Sequence, residues 1–142
     1  MPFGRITLLS AAHFINDTYP GFIAPLLPLL MDKIGFGLTL AAALTSILAV
    51  FNSMAQPLFG HMADQMKRPH LVVWGPLLTA LFLGSIGLVS SYAAIVIVLI
   101  ISGFGTAAFH PQAAVLTGHA SGNRKGLGMS IFVMGGSAGH SL

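Results

Sequence analysis

The sequence has no cysteine and very little charge, and each shortage removes whole classes of protein. Without cysteine there is no disulfide framework, no thiolate zinc site, no iron–sulfur cluster and no cysteine nucleophile. Only 6% of the 142 residues are Asp, Glu, Lys or Arg, where a water-soluble domain carries about 25%. No water-facing surface can be built from so few. Six Lys and Arg against three acidic residues give a pI near 9.8, but these cations are scattered through loops. They form no basic face that could follow a phosphate backbone, which excludes nucleic acid as a partner. Six histidines are present, none in the HxxH or HxxxH spacing of a metal-dependent membrane enzyme. No metal, no cofactor and no catalytic residue is expected, and the chain does not read as an enzyme.

What the sequence does have is apolar length. Hydrophobic residues make up 55% of it and the mean hydropathy is +0.87, concentrated in long runs between short polar stretches. The bilayer must therefore be the solvent for most of the surface. Four runs are long enough to cross a hydrocarbon core of about 30 Å: residues 7–30, 38–59, 71–89 and 93–115. A fifth, 127–142, is incomplete, so the chain is expected to be a piece of a longer polytopic membrane protein of all-α fold class. Arg5, Lys67, Arg68, Arg124 and Lys125 fall on one side of this arrangement and only Lys33 on the other. Positive charge is retained in the cytoplasm, which predicts a cytoplasmic N-terminus in a cell inner membrane.

The first run is unusual inside, with His13, Asn16, Asp17 and Pro20 near its middle. A charged carboxylate near the bilayer midplane is costly unless it is paired, hydrated or protonated, so Asp17 marks a functional cavity. His13 stands one helical turn before it, on the same face. Pro20 cannot bond to the carbonyl of Asn16 and is expected to open the helix where these polar residues cluster. His110, followed by Pro111, offers the same chemistry in the fourth run. His13, Asn16, Asp17 and His110 are the candidate proton-coupling and substrate-path residues.

The hairpin after the second run reads Gly60-x-Met62-Ala63-Asp64-x-x-Lys67-Arg68. Gly60 is expected to turn the chain sharply at the membrane surface. Asp64 is expected to meet the positive N-terminus of the third helix, with Lys67 and Arg68 on the cytoplasmic side. In spacing and position the hairpin resembles the signature loop of the major facilitator superfamily. Gly126, Gly135 and Gly139 resemble the start of that family's glycine-rich fifth-helix motif, in which small residues let two helices pack closely. The sets His13-Phe14-Ile15-Asn16-Asp17, Tyr19-Pro20-Gly21, Phe109-His110-Pro111 and Ser130-Ile131-Phe132 with Gly135-Gly136 resemble the fosmidomycin-resistance branch.

This resemblance implies that residues 1–142 belong to the N-terminal six-helix half of a twelve-helix transporter. Such a protein would export a small toxic compound in exchange for protons by alternating access. Its partners would be the lipid bilayer, the substrate, protons and the remaining C-terminal helices, and Gly60, Asp64, Lys67 and Arg68 would form a cytoplasmic gating loop. The family is built from inverted three-helix repeats, which makes the first and fourth helices counterparts. The other reading is a short membrane interaction or scaffold protein, with Gly135 and Gly139 as its contact face.

Overall fold

A backbone in hydrocarbon has no water to bond, so an apolar run satisfies its own N–H and C=O groups by coiling into a helix. In the computed structural model, which describes residues 3–141, nearly every described residue is helical and none is in a strand. Helices α1 (Phe3–Gly21) and α2 (Ile23–Ile34) occupy the first predicted span, and α3 (Leu38–Gln65) the second. The third is α4 (Leu71–Gly84) followed by a 3-10 turn, Ile86–Leu88. Helix α5 (Tyr92–Ser121) is the fourth, and α6 (Lys125–His140) occupies the fifth. The second, third and fourth are long and apolar enough to cross a membrane. Leu142, the end of the last predicted span, lies outside the described residues.

The expected opening of the first helix at Pro20 is corrected. Helix α1 runs through Pro20 unbroken and is interrupted only at Phe22, one turn beyond the polar cluster. The cause is Pro25: it has no N–H for the carbonyl of Gly21, and its ring displaces that carbonyl. Helix α5 likewise runs through Pro111 without interruption. The fourth span is therefore continuous, unlike its counterpart.

Helix α5 is the centre of the bundle. In its most apolar stretch 56% of residues are buried, against 22% in α3 and in the third span. At one end Leu44 and Leu48 of α3, Leu83 of α4 and Ile95, Val98 and Leu99 of α5 form a core with Ile23 and Leu30 of α2. At the other end Phe109 and Ala113 pack with Phe132 of α6. Polar clamps close the ends. Lys33 donates from Nζ to the carbonyls of Gly87 and Val89 at 2.7 and 3.0 Å, capping the 3-10 turn with a cation. Gly35, at φ 82°, ends α2 in the left-handed conformation that costs glycine nothing.

Where helices touch most closely, the contact residue is glycine. A methyl group on Gly105 would lie 2.6 Å from Thr79 Oγ1 and 2.8 Å from the Gly75 carbonyl oxygen, so α4 and α5 meet backbone to backbone. On Gly103 it would lie 3.1 Å from Phe51 Cβ in α3. Helix α6 lies against α1 in the same way: methyls on Gly135 and Gly139 would collide with the backbones of Ser10 and Phe14. Between lipid-soluble helices this close packing replaces the hydrophobic effect as the cohesive force.

Candidate functional site

His13 and Asp17 are one turn apart on α1, and α5 brings His110 against both. His13 Nε2 lies 3.1 Å from Asp17 Oδ2, and His110 Nε2 lies 3.4 Å from Asp17 Oδ1. The two Nε2 atoms are 3.3 Å apart. Each group is held from behind. Nδ1 of His13 donates to the Phe132 carbonyl at 2.9 Å, Nδ1 of His110 donates to the Thr106 carbonyl at 2.7 Å, and Asn16 Nδ2 donates to Asp17 Oδ1 at 2.9 Å. Phe132 also stacks on the His13 ring at a centroid distance of 4.2 Å. The ring is sandwiched on another side by Gly136, where a methyl group would run into it.

These bonds fix the tautomers. A carbonyl oxygen only accepts, so each Nδ1 carries a hydrogen, and in a neutral ring Nε2 is then a lone pair. Two such lone pairs and the carboxylate oxygens of Asp17 converge within 3.4 Å. Three acceptors at that range repel one another unless a proton or another cation lies among them. The trio is therefore built to hold positive charge. Asn16, fully buried, leaves its own Oδ1 without a partner among the described residues, one more acceptor beside the trio. A cavity of about 420 Å³ opens onto His13 and Asp17, with Val133, Gly136, Ser137 and His140 of α6 in its walls.

The hairpin residues lie elsewhere, and two details of their expected roles are corrected. Helix α3 continues past Phe59 to Gln65, so Gly60 is a helical residue facing Pro111 rather than a turn. Asp64 consequently stands in the last turn of α3, at the negative end of that helix dipole. It is exposed, and α4 is entered instead through His70, with no side-chain cap. Lys67 and Arg68 are exposed in the turn that follows. Gly126 has open space where a side chain would stand, while Gly135 and Gly139 face α1 of the same chain.

Several residues that matter to the site carry no signal of their own in the sequence. Thr79 Oγ1 lies 3.3 Å from the Ser102 carbonyl oxygen and 3.2 Å from Thr106 Oγ1, fixing the turn of α5 whose carbonyl holds His110. Gln112 Oε1 accepts from the Val72 N–H at 3.1 Å, satisfying a donor at the start of α4. Gly128 packs on Ser121. A small residue at an unremarkable position becomes legible only when its neighbour across the helix is known.

A helical bundle packed through glycines around a largely buried His and Asp cluster is the arrangement of a polytopic membrane protein. The sequence profile of the Major Facilitator Superfamily matches residues 9–142, and the chain belongs to that family. It is 30% identical over 140 residues to the fosmidomycin resistance protein of Escherichia coli (strain K12), which covers 99% of this chain and 34% of that protein. It is 29% identical over 139 residues to an uncharacterized MFS-type transporter of Bacillus subtilis (strain 168), covering 96% of this chain and 34% of that protein. The chain thus spans about a third of the length of the curated relatives it matches. No solved structure matches it significantly.

Proposed function

We propose that the chain is part of a secondary active transporter that exports a small toxic compound, of the fosmidomycin type, in exchange for protons by alternating access. The observation that carries this reading is the convergence of His13, Asp17 and His110. The three are acceptors fixed by outer hydrogen bonds, beside a cavity and between the two helices that the family's inverted repeat makes counterparts. Asp17 is the proton carrier, with His13 and His110 sharing its proton through Nε2. The protein sits in the inner membrane with its N-terminus in the cytoplasm, and the hairpin bearing Asp64, Lys67 and Arg68 lies at the cytoplasmic gate. A partner-binding scaffold is disfavoured, since Gly135 and Gly139 are already spent on α1 within the chain.

The test is transport by the whole protein in proteoliposomes under an imposed pH gradient. Asp17→Asn keeps the shape and the bond to Asn16 but cannot carry a proton between states. It is expected to abolish gradient-driven export of fosmidomycin while leaving binding of the compound detectable. Accumulation at the wild-type rate by a correctly inserted Asp17→Asn protein would overturn the assignment.

A further inference from the structure

We propose that His13, Asp17 and His110 form a binding site for a single divalent transition ion of the Zn²⁺ type, occupying the position that protons otherwise hold. A tetrahedral zinc with bonds of about 2.0–2.1 Å to imidazole nitrogen keeps neighbouring donor atoms about 3.3–3.4 Å apart. The two Nε2 atoms are 3.3 Å apart, and the carboxylate turns one oxygen to each ring, Oδ2 at 3.1 Å from His13 and Oδ1 at 3.4 Å from His110. Two imidazole nitrogens and a carboxylate spanning both already face one another at coordination-shell separations before any ion enters.

The surroundings match as well as the distances. Zinc-binding histidine takes the metal on a lone-pair nitrogen and gives its other N–H to a carbonyl or carboxylate, which fixes the ring and its tautomer. Both histidines do this: Nδ1 of each is committed to a backbone carbonyl and Nε2 of each points inward. The carboxylate is oriented by Asn16, as ligating carboxylates are. Two imidazoles and one carboxylate with a fourth position left over is the ligand set of an open zinc site, and softer, thiolate-seeking ions have no ligand in a chain without cysteine. The cavity lined by His13, Asp17, Ser137 and His140 gives that fourth position room for water or for a further ligand. Burial adds affinity. The side chains of His13, Asp17 and His110 are 8%, 17% and 22% exposed, and such partial burial strengthens attraction to a doubly charged ion.

The inference stands on the geometry of the trio, and it concerns binding rather than transport. It can fail while proton-coupled export stands, and the reverse. The experiment is titration of the whole protein, purified in detergent without substrate or pH gradient, with Zn²⁺ against a chromophoric chelator and with Co²⁺ as a spectroscopic probe. The expected result is one ion per chain and the intense visible absorption of tetrahedral Co²⁺. Affinity should fall at least about a hundredfold in His110→Gln and in Asp17→Asn, since outer partners alone are worth 10–100-fold. It should be unchanged in a His61→Gln, His70→Gln and His119→Gln triple variant, whose histidines lie away from the trio. Asp17→Cys supplies the decisive readout. A thiolate at a true ligand position retains binding and adds a sulfur-to-cobalt charge-transfer band, read as the difference from the same Co²⁺ titration of the parent protein. Binding weaker than about 10 µM, binding that survives His110→Gln and Asp17→Asn, or a Co²⁺-loaded Asp17→Cys protein without the charge-transfer band would each overturn the proposal.

Discussion

At Gly105 a single hydrogen separates a packed pair of helices from a clash. The methyl of Gly105→Ala would enter a space already filled by Thr79 Oγ1, the Thr79 nitrogen and the Gly75 carbonyl, the last two at 2.9 and 2.8 Å. These are mostly backbone atoms and cannot rotate away. Forcing extra volume into a packed interior costs about 1–3 kcal/mol, so Gly105→Ala is expected to lower the melting temperature measured in detergent by several degrees. Gly126 is the control. Nothing lies within 4 Å of its missing Cβ, and Gly126→Ala is expected to raise stability slightly, by the roughly 0.5–1 kcal/mol that alanine gains over glycine in a helix. Equal effects at the two positions would show that α4 and α5 do not touch through Gly105. In the sequence Gly126 stands out through its motif, while nothing marks Gly105. The difference between them is the opposite helix.

At the scale of the element, the question is what holds α4 to α5. Two forces compete: the close approach through Gly75 and Gly105, and the buried hydroxyls of Thr79 and Thr106 with the Ser102 carbonyl. Interhelical hydrogen bonds in membranes are worth about 0.6 kcal/mol on average and about 1.7 at most. Thr79→Val removes the hydroxyl and keeps the shape, so it is expected to destabilise by less than Gly105→Ala. A thermal unfolding comparison of the two variants checks this, and a larger loss in Thr79→Val would make the hydroxyl network the main tie. The break between α1 and α2 shows what was legible at this scale and what was not. Proline chemistry announces an interruption in the first run, but with Pro20 and Pro25 both present only the folded chain shows that the break falls at Phe22. A helix tolerates Pro20 when neighbouring groups hold the freed carbonyl's turn in place.

For the whole molecule, the proposed orientation rests on five cationic residues at one end against Lys33 at the other. Cysteines introduced at Gln65 and Asn123 in the whole protein are expected to be shielded from an impermeant thiol reagent in intact cells, while one at Gly35 is labelled. Labelling of Gln65 but not Gly35 would invert the arrangement. The sequence by itself determined the solvent, the all-helical class and the family, and it marked Asp17 and the histidines as candidates. These follow from hydropathy, from the backbone's need to bond within each run, and from the cost of charge in hydrocarbon, all of which are local. Only the tertiary structure decided that α5 is the central helix, because in lipid an apolar helix carries no polar face to distinguish buried from exposed. It alone brought His110, 97 residues from His13, within 3.3 Å of it. A cation site requires three ligand atoms at fixed separations, and separations between helices are set by how their small residues interlock, not by spacing along the chain.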